Sequence, residues 1–135
     1  MHNAHQQLKL SYQRAISPDY QGFFTRFYEK FTGSDPGVKQ LFETVDMERQ
    51  YQMLMASMTH MISFAPDQEP GAEMERMAMI HGKDRLAIPA HYYDLWLDSL
   101  IETLRERDPK FNDHIENAWK KVLMPGIDYM KSFCP

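Results

Sequence analysis

The chain predicts an all-α domain of about seven helices that do not form a regular bundle. Three observations carry this. Apolar residues recur three and four positions apart along almost the whole chain, which is the helical period. Breakers rich in Pro, Gly and Asp separate these recurrences, and no stretch alternates as a strand would. No heptad persists, which points away from bundle packing. At 135 residues the chain is one domain, residues 1–135, with length enough for a real core.

A first helix is expected over about Ala4 to Ile16. Ser17-Pro18 restarts the chain, with Ser17 as N-cap and Pro18 in the first turn, where its missing N–H costs nothing. The second helix carries Phe23, Phe24, Phe27, Tyr28 and Phe31, and Gly33-Ser34-Asp35-Pro36 ends it. Asp35-Pro36 starts a short third helix holding Val38, Leu41 and Phe42. Asp46 can cap a fourth, whose stripe is Met47, Leu54, Met58, Met61 and Ile62. Pro66 to Gly71 is a loop, and Met74 to His81 forms a short helix that Gly82-Lys83-Asp84-Arg85 breaks. A long helix follows from about Ala90 to Arg107, stopped by Asp108-Pro109. The last runs from about Asn112 to Lys131, and Pro125-Gly126 should kink it or open it locally.

Composition removes several classes of function. The net charge is -4 and no basic stripe is present, which argues against nucleic acid. The single cysteine, Cys134, permits no intrachain disulfide and fits a reducing cytoplasm. The polar start, Met1 to Gln7, does not read as a signal peptide, and no apolar run approaches a membrane span of about 20 residues. His2 and His5 fall in this start, which is expected to fray. Eleven methionines suit either a soft helical core or a surface adapted to a flat ligand.

His81 is the most informative residue. It closes its helix on the apolar side, with Met77 one turn before it and the apolar run Leu86-Ala87-Ile88 just after the break. One imidazole so placed is how a protein offers a single ligand to haem iron while keeping the other side open. A core histidine bonded to a carbonyl is the plainer alternative. Tyr28 and Phe42 stand fourteen residues apart around Pro36, and Gln50 and Leu54 follow at i and i+4. Gln52 competes with Gln50. Gln50 shares its face with Met47, Leu54, Met58 and Met61, whereas Gln52 would share one with Ala56 and His60, so amphipathicity favours Gln50.

In this order and spacing, the chain resembles the globin family over nearly its whole length. Phe27 to Phe31, through Pro36 to Phe42, is similar to the globin second helix, its corner and the phenylalanine that stacks on haem. Gln50 with Leu54 is similar to the distal pair of bacterial globins. Pro89-Ala90-His91-Tyr92-Tyr93 resembles the start of their penultimate helix. Trp119 and Leu123 to Met130 resemble the last helix of the sensor-type members.

The resemblance implies a three-on-three helical sandwich holding haem b. The C-x-x-C-H signature of covalent attachment is absent. It implies His81 as iron ligand through Nε2, its other ring nitrogen held by a carbonyl or a nearby side chain. Phe42 would lie on the porphyrin, Tyr28 would be the main hydrogen-bond donor to a bound gas, and Gln50 the second. Leu54, Met77 and Ile88 would line the pocket, Arg85 would meet a propionate, and Tyr92 would support His81 from the proximal side. The partners so implied are dioxygen, carbon monoxide and nitric oxide, with a homodimer through the last two helices and a separate reductase or signalling protein as further expectations. Two functions follow: an oxygen carrier, store or gas sensor, or an enzyme of the nitric oxide dioxygenase or peroxidase-like kind. A third reading is a haem-free module that signals through its surface. The chain departs from flavohaemoglobins in lacking both a late acid in Lys131 to Pro135 and a flavin reductase domain, which weighs against the dioxygenase.

Overall fold

The computed structural model describes residues 3–135, so His2 lies outside the described residues. Among these, the chain forms seven helices and no strand: α1 (Ala4–Ala15), α2 (Tyr20–Ser34), α3 (Pro36–Leu41), α4 (Met47–Phe64), α5 (Ala72–His81), α6 (Ala90–Arg107) and α7 (Asp113–Lys131). Short polar side chains start most of them. Asn3, Asp19, Asp35, Asp46 and Asn112 each accept the first free amides of the helix that follows. Asn3 does so in a reciprocal box with Gln6, so His5 sits in an ordered first turn rather than a frayed end.

Three local expectations are corrected. Asp19, not Ser17, caps α2, accepting from the Gly22 amide at 3.0 Å. A carboxylate serves a helix N-terminus better than a hydroxyl, because it also meets the positive end of the dipole. Phe42 does not continue α3 but ends it as C-cap. Finally, Pro125 does not open α7, which stays helical through it. Here Gly126 matters: a Cβ would lie 3.1 Å from Met61 Cγ and 3.3 Å from Met74 Cε, so α7 approaches α4 and α5 closely at this point.

Six of the seven helices form two layers of three, and the short α3 packs on α2. α7 packs on α1, α4 and α5, while α6 packs on α2 and beside α7, giving α2, α6 and α7 against α1, α4 and α5. Phe23, Phe24, Phe27, Leu100, Leu104, Trp119 and Leu123 fill the space between and are fully buried. Each such side chain contributes about 1.5–3 kcal/mol of burial. No described helix is long and apolar enough to cross a membrane.

One buried polar cluster ties the sandwich together. The Asp108 carboxylate, at the C-cap of α6, accepts from Arg14 at 2.6 and 2.9 Å and from the Ser11 hydroxyl at 2.7 Å. Its own chain adds the Lys110 amide at 2.9 Å. Ser11 in turn accepts from Trp119 Nε1 at 2.9 Å. Burial pushes the Asp108 carboxyl up, but the bonds from Arg14, Ser11 and Lys110 outweigh it and hold it below its ordinary value of 3.8.

Candidate functional site

A largely apolar cavity of about 370 Å³ opens between α2, α4, α5 and α6, and α7 forms part of its wall. Every residue that the sequence singles out, except Arg85, lines it: Tyr28, Phe42, Gln50, Leu54, Met77, His81, Ile88 and Tyr92. Arg85 is exposed in the turn after α5 and does not line the cavity. A shallower groove of about 580 Å³ between α4 and α7, with Phe64, Lys121 and Asp128 in its lining, gathers none of them.

His81 ends α5, where the chain turns sharply. Ile88 N donates back to the His81 carbonyl at 3.0 Å, and Ala87 takes a positive φ of 53° to make that return. The corner is anchored on the C-terminal segment. Lys83 N donates to the Phe133 carbonyl at 2.8 Å, and at Gly82 a Cβ would meet the same oxygen at 2.8 Å. The His81 ring is held by its own helix, with Nδ1 2.8 Å from the Met77 carbonyl. A carbonyl can only accept, so Nδ1 carries a proton, and in the neutral ring the lone pair is then on Nε2. Nε2 has no hydrogen-bond partner among the described residues. The same carbonyl bond satisfies the plainer reading of a core histidine and is also the arrangement that would orient a metal ligand.

Tyr28 enters from α2 and Gln50 from α4. Gln50 Nε2 donates to the Tyr28 hydroxyl oxygen at 3.0 Å. Gln52 is exposed on the far side of the same helix, which closes the choice between the two glutamines as cavity residues. The Tyr28 ring is 5 % exposed and enclosed by other aromatics. Phe42 meets it edge to face at 5.2 Å, Phe27 does so at 4.9 Å, and Tyr51 stacks on it at 5.7 Å. Burial drives the phenol pKa well above its usual 10, and the Gln50 bond offsets this only in part.

Tyr92 lies in the cavity wall without a direct bond to His81. Its ring lines the cavity, but its hydroxyl lies over Gly37 of α3, where it leaves no room for a Cβ. No hydrogen bond joins Tyr92 to His81 among the described residues, and the Met77 carbonyl is the partner of His81 Nδ1. The neighbouring Tyr93 is the residue that sequence reasoning missed. Its ring lines the cavity, and its hydroxyl is the one buried side-chain polar atom without a hydrogen-bond partner among the described residues. Burial raises its pKa, with nearby Cys134 adding to the effect. Apolar rim residues Leu41, Val45, Met53 and Leu86 were also missed as site residues. Exposed hydrophobics around a cavity mouth are a sign visible only in three dimensions.

With this geometry in view, the comparisons are specific. The chain belongs to the globin family, whose model matches residues 15–127. It is similar to a crystal structure of a Pseudomonas aeruginosa PAO1 protein described as structurally highly homologous to a human hemoglobin. That match has 29% identity and a TM-score of 0.88, and covers 98% of this chain and 100% of the other. No curated protein matches the chain. At the level of the family, this is a haem-binding globin with a capacity for diatomic gases such as oxygen. The residues present fit that group: a largely apolar slot, one imidazole with an uncommitted Nε2, and a phenylalanine beside a polar pair.

Proposed function

We propose that this protein binds dioxygen reversibly, as a carrier, store or sensor, on haem b held non-covalently by His81. The observation that carries the reading is the direction of the Gln50–Tyr28 hydrogen bond. Gln50 donates to the phenol oxygen at 3.0 Å, so the phenol's own hydrogen is not spent on Gln50. No acceptor takes that hydrogen among the described residues, and the raised pKa keeps it in place. Tyr28 is therefore a donor with free capacity on the cavity wall.

When bound, haem supplies an iron atom with one open coordination position for a diatomic gas. The chain's own residues do the rest. His81 offers Nε2, and the Met77 carbonyl fixes its ring and tautomer. Phe42, on the cavity wall, would pack against the macrocycle, and Leu54, Met77 and Ile88 would help to keep water from the slot. Tyr28 would donate to a bound gas that carries partial negative charge, and Gln50, bonded to the phenol oxygen, would orient Tyr28. Carbon monoxide and nitric oxide would use the same position, with less benefit from the donor. Arg85 is our candidate partner for a propionate at the solvent edge.

The enzymatic alternative, a nitric oxide dioxygenase or peroxidase-like protein served by a separate reductase, is less well supported. Cleaving the bond between two oxygens is favoured by an electron-rich proximal ligand, as a carboxylate partner would make the imidazole. His81 has a carbonyl partner instead.

An optical spectrum of the reduced protein reconstituted with haem, then given carbon monoxide and air, tests the proposal. A Soret band that shifts with carbon monoxide and a lasting oxygenated form in air are expected. Rapid oxidation in air without such a form would refute reversible binding. Tyr28→Phe should speed dioxygen release roughly ten- to a hundred-fold, the equivalent of a charge-assisted bond of about 1.5–3 kcal/mol. An unchanged rate would remove Tyr28 from the mechanism.

A further inference from the structure

We propose that Tyr51, pinned by Thr25, is a positioning residue that sets the aim of the Tyr28 hydroxyl and thereby the rate at which bound gas is released. The inference rests on Tyr28 acting as donor, as argued above, and concerns what holds that donor in place.

Tyr51 is buried but does not line the cavity, so it touches a ligand only through Tyr28. It is the aromatic that lies nearly parallel to Tyr28, with centroids 5.7 Å apart and 26° between planes. The rings of Phe27 and Phe42 meet Tyr28 at 79° and 63°, and Phe31 lies at 48°. Edge contacts limit how far a ring moves, whereas a stacked neighbour fixes the plane in which it lies. The plane of the phenol decides where its hydrogen points.

Tyr51 is itself held from outside the pocket. Its hydroxyl shares a hydrogen bond of 3.1 Å with Thr25 Oγ1, one turn before Tyr28 on α2. Thr25 is exposed, and a ring that served only to fill the core would need no hydroxyl. α2 and α4 share little close backbone contact, so side chains set their spacing here. Three side-chain bonds cross between these helices: Gln21 to Glu48 at their exposed ends, and, close together beside the cavity, Gln50 to Tyr28 and Tyr51 to Thr25. Gln50 and Tyr51 are adjacent in sequence. A shift of α4 that freed Tyr51 would also move the Gln50 amide that orients Tyr28.

The test compares Tyr51→Phe and Thr25→Val with Tyr28→Phe, alone and combined, in the haem-loaded protein. Both distant changes keep the apolar volume, and Thr25 is at the surface, so folding is not at stake. Each should speed dioxygen release roughly two- to ten-fold, the fold-change equivalent to one neutral hydrogen bond. Each should also move the carbon–oxygen stretch of bound carbon monoxide to higher wavenumber, part of the way towards its position in Tyr28→Phe. In the Tyr28→Phe background, neither should have any further effect. If Tyr28→Phe changes rate and stretch while Tyr51→Phe changes neither, the positioning role is wrong and the donor stands. Additive effects would also overturn it, since Tyr51 would then act by another route. If Tyr28→Phe itself changes nothing, the donor reading falls and this inference with it.

Discussion

Two groups of polar side chains among the described residues, one at the junction of α1, α6 and α7 and one on the cavity wall, are finished to different degrees. In the cluster joining α1, α6 and α7, every member is spent. Asp108 accepts from Arg14, Ser11 and the Lys110 amide, and Ser11 also takes the Trp119 N–H. In the cavity, the polar groups keep capacity in reserve. Among the described residues, His81 Nε2 has no partner, the Tyr28 hydrogen is uncommitted, and the Tyr93 hydroxyl is unpaired. Both groups lie in apolar surroundings, where an unmet donor or acceptor is costly. A satisfied cluster serves the fold. An unsatisfied one, gathered in a single cavity, is the mark of a site completed by something other than the chain.

The largest effect that would sharpen this contrast is at His81. His81→Ala should abolish stable haem binding while leaving the helical content of the haem-free protein intact. Titrating haem into the variant and following the Soret band checks it. A normal five-coordinate ferrous spectrum in His81→Ala would break the assignment of the ligand and, with it, the contrast.

Asp108 should behave in the opposite way. Asp108→Ala leaves Arg14 and Ser11 without their acceptor in the interior. The expected loss is about 3 kcal/mol of folding stability, at the low end for breaking a buried pair, because Arg14 keeps some contact with water. Haem affinity of the folded fraction should not change. The wild-type cluster also carries a pH dependence of definite sign. The folded-state pKa of Asp108 lies below the ordinary 3.8. Its contribution is therefore complete above that unfolded value and fades as the pH falls through the folded one. Denaturant melts between pH 2 and 7 should show a steep acid loss in the wild type that is shallower in Asp108→Ala. Parallel slopes would show that Asp108 is not the group responsible.

How much of this was legible in the chain depends on the range over which each feature is encoded. The helices and the cavity residues are periodic and local. Leu54 and Gln50 share one face of α4, and amphipathicity alone separated Gln50 from Gln52. Caps were less secure. Ser17 and Asp19 are two residues apart and both able to cap, and the difference is electrostatic. Nothing local pairs Ser11 with Asp108, 97 residues away, or with Trp119, 108 residues away. From sequence, Asp108 read only as a helix stop before Pro109. Tyr92 and Tyr93 show the same limit inside the site. They are neighbours on α6, and only the packing of α3 shows that the Tyr92 hydroxyl lies over Gly37 rather than in the cavity's interior.

Tyr93 provides the smallest and most discriminating test of the comparison. Removing a polar atom from the satisfied cluster should cost stability, whereas removing one that has no partner should add it. Tyr93→Phe deletes only the hydroxyl and keeps the ring against the cavity. The haem-free variant should therefore be more stable than wild type by about 1 kcal/mol, the low end of the penalty for an unpaired buried group. Urea melts of the haem-free proteins at neutral pH measure this directly, and an unchanged slope would show that only stability had moved. If the hydroxyl finds a partner when haem is bound, the advantage should shrink or reverse in the loaded protein. The stabilities of the two forms together then decide whether Tyr93 belongs to the fold or to the site. A loss of stability in the haem-free variant would mean that the hydroxyl is already satisfied, and would break the distinction between the two clusters.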